Sequence, residues 1–351
     1  MRPPEGTCPR RGGAPSPLRR SFAYLPQVAA VGSLLRLPHI TDDLERVEAQ
    51  LRASAQSDDA FLTQVASHLI EAGGKRLRPA LALASGYLAR SPASDEMVMG
   101  AVAVELVHLG SLYHDDVMDE AATRRGVPSV NARWGNLVAI LAGDYLLARA
   151  SELAASLGGE VSRLLAATIG SLCEGQVSEL QQVFDVRRSE DDYLSAISRK
   201  TAALMSASCR IGALTAGLDA ARVEALTDYG RRLGMAFQIV DDVLDVVATE
   251  EQLGKPAGND LVEGVYTLPV IRAIANGGGA ELRDLLGRPV EQGDVERLRA
   301  LVRANGAVGE ACDVARGYAA EAAASLVAVG DGQVAQALAA VGSSLVDGIP
   351  T

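Results

Sequence analysis

Residues 97–119 read MVMGAVAVELVHLGSLYHDDVMD, a long apolar run that ends in three aspartates. A second acidic run, DDVLD at residues 241–245, follows 126 residues later and again lies inside apolar sequence. Residues four apart share one face of a helix, so each DDxxD pattern places two carboxylates together and a third beside them. The spacing predicts two helices that each present clustered carboxylates.

Clustered carboxylates in apolar surroundings repel one another and cost several kcal/mol unless a cation compensates them. Hard divalent cations prefer oxygen ligands, and Mg²⁺ usually takes one or two protein carboxylates together with phosphate oxygens and water. The alternative is that each run is a solvated helix face. Two matching runs in apolar helices favour the metal interpretation.

The composition favours an all-α fold. Hydrophobic residues make up 48% of the 351 residues, mostly Ala, Leu and Val, whereas aromatic residues make up only 4%. This balance suits close-packed helices better than a β-sandwich or barrel. Caps, apolar periodicity and glycine breaks predict helices over 42–55, 60–72, 79–89, 95–119, 134–156, 160–184, 190–197, 201–216, 221–247 and 259–275. With no fixed-period repeat and no strand pattern, we expect one helical domain over residues 37–351.

Residues 1–36 differ from the rest of the chain. Their prolines and the paired Gly12-Gly13 predict a poorly ordered extension. Arg19-Arg20-Ser21-Phe22 loosely resembles a twin-arginine export signal, but Pro26 interrupts the apolar part and no clear cleavage site follows. We therefore expect a dispensable tail, or a start codon assigned too far upstream.

Charge and cysteine usage exclude several classes of protein. The net charge is −11 although residues 1–36 hold six arginines and one glutamate, so the body is strongly acidic and nucleic-acid binding is not expected. The four cysteines match neither a metal-ligand nor a disulfide pattern. Charged residues interrupt each candidate membrane span. These features predict a cytoplasmic protein with at most peripheral membrane contact.

Basic residues gather near turns, which suggests anion binding. GGKRLRP at residues 73–79 places three cations beside a flexible turn, and Arg124-Arg125-Gly126 follows the first acidic run. Lys200-Thr201 is predicted at a helix start, where backbone N–H groups favour anions. Lys255 follows the second run. Each cluster alone could be solvated surface charge, but together they suggest that cations hold one diphosphate while metals hold another.

The ordered motifs GGKRLRP, LYHDDVMDEAATRRG, KT, FQIVDDVLD and GKPAGNDL resemble those of the trans-isoprenyl diphosphate synthases. The similarity covers about residues 40 to 345, and its best match is the bacterial long-chain polyprenyl type that supplies quinone side chains such as that of menaquinone. The resemblance implies an all-α bundle around a deep central cavity, normally a homodimer. It also implies head-to-tail (1'-4) condensation of isopentenyl diphosphate with an allylic diphosphate.

The resemblance assigns roles residue by residue. It implies that three Mg²⁺ ions on the allylic diphosphate are held by Asp115, Asp116, Asp119, Asp241, Asp242 and Asp245. Arg124, Lys200 and Lys255 would clamp that diphosphate, and the diphosphate of isopentenyl diphosphate would be bound by Lys75, Arg78, His108 and Arg125. Thr201 and Gln238 would line the position of the allylic cation, and Phe237 would guard it. The released diphosphate is the expected base.

Two residues that precede the first acidic run bear on the length of the product. In this family the growing chain passes the helix that carries this run, so Gly110 and Ser111, about one turn before Asp115, would form its floor. Both residues are small, which predicts a long-chain product. The alternative is that they only permit close helix packing.

One departure from the family pattern lies at Val265, where many relatives have a lysine; modulated affinity is the expected effect.

Other functions remain open. The same chemistry with a shallower cavity would give a geranylgeranyl or farnesyl diphosphate synthase. A terpene cyclase also uses acidic metal motifs, but GGKRLRP would then have no second diphosphate to bind. A non-catalytic subunit of a heteromeric synthase would be expected to have lost aspartates, and all six are present.

Overall fold

The computed structural model of the chain describes residues 31–253, 256–277, 279–291 and 293–350. Most of these residues are helical, which confirms the predicted all-α class. The helices are α1 (Ile40–Ser54), α2 (Ala60–Glu71), α3 (Leu77–Gly86), α4 (Asp95–Met118), α5 (Val130–Trp134), α6 (Asn136–Ser156), α7 (Gly159–Leu180), α8 (Glu190–Ile197), α9 (Ala203–Thr215), α10 (Ala220–Val247), α11 (Glu250–Leu253), α12 (Asn259–Glu263), α13 (Leu268–Ala275), α14 (Gly279–Leu285), α15 (Val295–Ala304), α16 (Ala307–Ser325) and α17 (Gln333–Asp347).

The two long helices that carry the acidic runs begin at capped positions. The Ser94 side chain accepts a hydrogen bond from the backbone N–H of Met97 at the start of α4. The Asp219 side chain does the same for Arg222 at the start of α10. Such caps satisfy backbone donors that have no partner in the first turn. Each helix therefore has a fixed start, and its acidic run lies at the opposite end.

A two-residue hairpin follows α4, although the sequence showed no strand pattern. It pairs β1 (Thr123–Arg124) with β2 (Val127–Pro128) in antiparallel register. The turn residues Arg125 and Gly126 both have positive φ, at 55° and 76°. This is the geometry of a tight hairpin turn whose twist matches that of the strands. The hairpin is too short for an alternating pattern to reveal it.

Two helices predicted as continuous are interrupted at glycines. Gly135, with φ of 89°, separates α5 from α6 inside the predicted segment 134–156. Gly264, with φ of 76°, ends α12 and separates it from α13 inside the predicted segment 259–275. Glycine adopts this left-handed backbone region without the steric cost that a Cβ would bring.

Helix α9 connects the two helices that carry the acidic runs. Helix α4 packs against α3, α6 and α9, while α10 packs against α9 and α16. Helix α7 packs against both α6 and α9. Among the helices of the described ranges, α4 and α10 are not a closely packed pair, so α9 is their shared neighbour.

The folded part of the chain begins earlier than the predicted boundary at residue 37. Residues 31–34 are helical, and Val31 and Leu34 are buried in the main hydrophobic core. Residues 1–30 of the predicted extension lie outside the described residues. Within the described ranges, α4 alone has the length and apolar composition of a membrane span, and it is mostly buried inside the bundle.

Candidate active site

The first acidic run lies at the carboxyl end of α4. Asp115 is half-buried, and Asp119 caps the helix end. Asp116 is fully buried and forms an ion pair with Arg124, which donates to its Oδ1 from Nε and Nη2 at 2.6 Å. Arg124 reaches it because the short hairpin folds back over the end of α4. The sequence predicted Arg124 as a clamp on substrate, but here it holds a carboxylate.

The local charges make Asp115 hard to ionise in the bare protein. Burial, together with the charges of Asp119 and Asp116, raises the pKa of Asp115 to about 6, although the charges of Lys200 and Arg124 oppose the increase. A carboxylate whose ionised form is disfavoured in this way gains most from a nearby cation. The electrostatics therefore fit a divalent metal bound at this end of α4.

The second run is held by hydrogen bonds from neighbouring elements. The Tyr193 hydroxyl donates to Asp242 Oδ2 at 2.5 Å, and Gln238 Nε2 donates to Asp242 Oδ1 at 2.8 Å. Asp245 accepts from the backbone N–H groups of Asn259 and Asp260 at 3.3 and 3.2 Å. Asp242 and Asp245 are both buried. These two carboxylates are engaged with the protein itself.

The six aspartates differ in their contacts with the protein. Within the described ranges, no three acidic, histidine or cysteine side chains converge as a metal-binding group. Asp116, Asp242 and Asp245 lie on the buried sides of their helices and accept hydrogen bonds from protein donors. The metal role predicted for all six aspartates stays a prediction, and carboxylates of this kind need phosphate oxygens and water to complete the octahedron of Mg²⁺.

A half-buried cluster of predicted diphosphate ligands lies near the second run. Burial lowers the pKa of both Lys75 and Arg78, and Asp241 acts against this in each case. Burial, followed by the charges of Arg78 and Arg125, lowers the pKa of His108 well below its usual value. His108 is therefore neutral near pH 7 and contributes hydrogen bonding rather than charge.

Arg125 is fixed on the same cluster by the turn of the hairpin. Its Nη1 donates to the carbonyl of Leu69 at 3.1 Å and to the carbonyl of Gly73. A Cβ on Gly74 would lie 2.9 Å from that nitrogen, so a side chain at position 74 would displace the Arg125 guanidinium from this position. Burial lowers the pKa of Arg125 to about 10, with nearby arginines adding to the effect. An anion would relieve this charge accumulation.

Arg76 has a structural role, which the sequence alone did not distinguish from the roles of its neighbours Lys75 and Arg78. It is buried and donates to Glu105 at 2.8 Å and to Glu48, with a backbone φ of 48°. The two glutamates are thus occupied by Arg76, and only Glu105 Oε2 has no hydrogen-bond partner. Arg78 and Arg125 keep an excess of positive charge, which a diphosphate would neutralise.

Lys200 and Thr201 lie in a π-helical turn, Ser198–Ala202, rather than at a helix start. Such turns often occur at functional sites because they redirect backbone groups. The ammonium of Lys200 is paired with Glu179 at 2.5 Å, a partner that no sequence motif indicated. Thr201 donates to Gln238 Oε1 at 2.7 Å. Phe237, next to Gln238, is half-buried and packs against the main core.

Two further predictions concern residues that follow the second acidic run in the chain. Lys255 lies outside the described residues, so its predicted contact with the allylic diphosphate stays a prediction. Val265, at the position of the expected lysine, is half-buried, and its backbone N–H donates to the carbonyl of Asp260.

The two residues predicted to form the floor of the cavity have different surroundings. A Cβ on Gly110 would lie 3.0 Å from both the carbonyl oxygen of Gly143 and Cγ of Leu147, so Gly110 faces α6 and permits close packing there. Ser111 is half-buried, and its hydroxyl donates to the carbonyl of His108 at 2.9 Å. It lies four residues before Asp115, on the same face of α4. Ser111 stays our predicted length determinant.

An all-α bundle with two aspartate runs and a half-buried cationic cluster is typical of enzymes that act on diphosphates. The polyprenyl synthetase family model matches residues 59–303. The chain belongs to this family, and it is a prenyltransferase.

Relatives and solved structures agree with this assignment. The chain is 40% identical over 299 residues to nonaprenyl diphosphate synthase of Mycobacterium tuberculosis, covering 84% of this chain and 89% of the relative. It is 35% identical over 303 residues to heptaprenyl diphosphate synthase component 2 of Bacillus subtilis, with 86% and 87% covered. A polyprenyl synthase from Caulobacter crescentus, complexed with calcium and isoprenyl diphosphate, superposes with a TM-score of 0.85 and 39% identity, covering 90% and 97%.

Proposed function

We propose that the protein condenses isopentenyl diphosphate with an allylic diphosphate and extends the product to a long all-trans polyprenyl diphosphate. The observation that carries this proposal is the presence of two different anion sites in one interior. Carboxylates suited to metal-bound diphosphate lie at the ends of α4 and α10. The half-buried cations Lys75 and Arg78 lie close enough to Asp241 to feel its charge, and Arg125 lies close to Arg78. A bisubstrate transfer needs both sites.

Different residues bind the two substrates of the reaction. Lys75, Arg78, Arg125 and neutral His108 hold isopentenyl diphosphate. Lys200 binds the leaving diphosphate of the allylic substrate as its C–O bond breaks. The double bond of isopentenyl diphosphate attacks the allylic cation to form the new C–C bond, and loss of one proton to the released diphosphate restores an alkene. Burial excludes water that would otherwise capture the cation.

Mg²⁺ bound to Asp115, Asp119 and Asp241 would neutralise the charge that develops on the leaving diphosphate. The relative from Caulobacter crescentus was crystallised with calcium, which supports use of a divalent cation. We propose Mg²⁺ as the cation in this protein. Activity should disappear on chelation and return when Mg²⁺ is added back.

The long-chain product is supported by relatives named nonaprenyl and heptaprenyl diphosphate synthase and by the small Ser111. The direct test is incubation of the purified protein with Mg²⁺, farnesyl diphosphate and labelled isopentenyl diphosphate, followed by sizing of the dephosphorylated products. We expect products well beyond four isoprene units. Absence of any incorporation would refute the enzymatic proposal, and products ending at four units would refute the long-chain one.

The same assay tests whether this chain works as part of a heteromeric synthase, since one relative is named a component of heptaprenyl diphosphate synthase. We propose that this chain carries the catalytic site in either case, because the carboxylates and the cationic cluster are complete within the described residues. Incorporation by the purified chain alone supports a homomeric enzyme. Incorporation only after addition of a second protein would replace that proposal with a heteromeric one.

An exposed apolar face on α6 and α7 supports a homodimer. Leu137 is 78% exposed and Leu141 65% exposed on α6, and Val177 and Leu180 are exposed on α7. The two helices pack against each other, so these exposed residues lie on neighbouring elements. Large exposed apolar side chains fit an interaction site, and a two-fold dimer would cover them with the same residues of a second copy.

The oligomeric state can be measured by light scattering on a gel-filtration column. We expect a dimer for the natural protein and a monomer for Leu137→Asp/Leu141→Asp. Val327→Asp is the matched control, because Val327 is equally exposed but lies on a different surface element. A monomeric natural protein, or a dimer that survives the double substitution, would contradict the proposed interface.

A further inference from the structure

A hydrogen-bonded chain connects buried Tyr193 to Thr201 through the second acidic run. The Tyr193 hydroxyl donates to Asp242 at 2.5 Å, Gln238 donates its amide N–H to Asp242 at 2.8 Å, and Thr201 donates to the Gln238 amide oxygen at 2.7 Å. The four side chains come from α8, the π-helical turn and α10. Nothing in the reaction described above uses Tyr193.

The hydrogen bonds in this chain run in one consistent direction. The amide nitrogen of Gln238 donates to Asp242, and its amide oxygen accepts from Thr201. The Thr201 hydroxyl is then committed as a donor to Gln238, and its lone pairs point elsewhere. Burial raises the pKa of Tyr193 well above its usual value, so this phenol remains a donor throughout the working pH range.

The burial of Asp242 argues against a direct metal contact. Its side chain is almost fully buried, and both of its oxygens accept hydrogen bonds from protein donors. Tyr193 is itself buried, and the guanidinium of Arg188 lies 5.7 Å from the centre of its ring. Such networks, once every member is satisfied, hold side chains in a single arrangement.

We propose that Asp242 is a positioning residue which, held by Tyr193, fixes the Gln238 amide so that the Thr201 hydroxyl presents its lone pairs to the allylic cation. The inference rests on the proposed prenyl transfer, in which Thr201 and Gln238 line the position of that cation. It separates Asp242 from its neighbour Asp241, which we propose as a metal ligand. Tyr193 becomes a second positioning residue, at the opposite end of the hydrogen-bonded chain from Thr201.

Kinetics of Tyr193→Phe test the relay, because phenylalanine keeps the packed ring and removes only the hydroxyl. Loss of a hydrogen bond to a charged group predicts a fall in kcat of about tenfold, with KM for isopentenyl diphosphate unchanged. Tyr266→Phe is the matched control: Tyr266 is also buried, but its hydroxyl accepts from Gly287 outside the network. We expect its kcat to equal that of the natural protein.

A double-mutant cycle with Thr201→Val shows whether Tyr193 and Thr201, at the two ends of the hydrogen-bonded chain, act together. If Tyr193 acts only through Thr201, adding Tyr193→Phe to Thr201→Val should lower kcat by less than about twofold. Full multiplication of the two single effects would overturn the relay. An unchanged kcat for Tyr193→Phe in active protein would overturn it as well.

Metal binding provides a readout that does not depend on turnover. Binding of Mn²⁺ in the presence of inorganic diphosphate, followed by electron paramagnetic resonance, should weaken by about tenfold or more in Asp241→Asn and by less than about threefold in Asp242→Asn. Asparagine keeps the shape of Asp242, so this variant is expected to fold. Equal weakening in the two variants would overturn the positioning role. Complete inactivity of the natural protein with both substrates would instead refute the proposed function.

Discussion

Replacing Gly110 separates helix packing from control of product length. A Cβ at this position would lie 3.0 Å from the backbone oxygen of Gly143 and from Leu147 Cγ, and the backbone atom cannot move aside easily. Gly→Ala in a helix interior gains about 1 kcal/mol of stability, whereas overpacking a core costs about 1–3 kcal/mol. We expect Gly110→Ala to destabilise the protein by about 1 kcal/mol and to leave product length unchanged.

The matched control is Gly317→Ala in α16, where an added Cβ meets no atom within 4 Å. It should stabilise the protein by up to about 1 kcal/mol, because only the helix propensity changes. For a chain of this size, 1 kcal/mol corresponds to roughly 1–2 °C in the melting temperature. Differential scanning calorimetry should therefore give shifts of opposite sign for the two glycine variants.

Product length should respond at Ser111 instead. Ser111→Phe places a ring four residues before Asp115 on the half-buried face, and we expect shorter products by chromatography of the dephosphorylated chains. The reasoning would be refuted by shortened products from Gly110→Ala at unchanged stability. It would equally be refuted by unchanged length from active Ser111→Phe.

Other consequences follow from burial and charge at the site. Because burial raises the pKa of Asp115 to about 6 from 3.8 in the unfolded chain, the metal-free protein should lose stability as pH rises from about 4 to 6. The Mg²⁺ concentration for half-maximal activity should increase as pH falls below about 6, since protons compete for Asp115; a flat profile would contradict this. Arg125→Lys replaces the planar guanidinium with a single ammonium on a shorter side chain, so KM for isopentenyl diphosphate should rise about tenfold with little change in kcat, measured at saturating allylic substrate. Gly264→Ala should lower the melting temperature by several degrees, because φ is 76° and the new Cβ would lie 2.5 Å from the Phe184 ring; an unchanged melting curve would contradict the strain.

Local sequence determined most of the helices and the composition of the site. Apolar periodicity, the caps at Ser94 and Asp219 and the paired Gly73-Gly74 depend on residues close in the chain, so they could be read without the fold. The same holds for the two acidic runs and the cationic motifs that led to the family. Breaks at single glycines, and a hairpin of two-residue strands, were missed because one residue carries too little pattern.

The tertiary structure decided what each predicted residue does. Asp116 and Asp242 look the same as Asp115 and Asp241 in sequence, yet the first pair meets Arg124 and Tyr193 and lies buried. Periodicity indicates which residues share a helix face, but not what packs against that face. Gly110 shows the same limit, since only the approach of α6 makes it a packing residue. The partners of each residue come from distant segments of the chain. The burial and hydrogen bonds that these partners bring distinguish the proposed metal contacts from the proposed positioning residues.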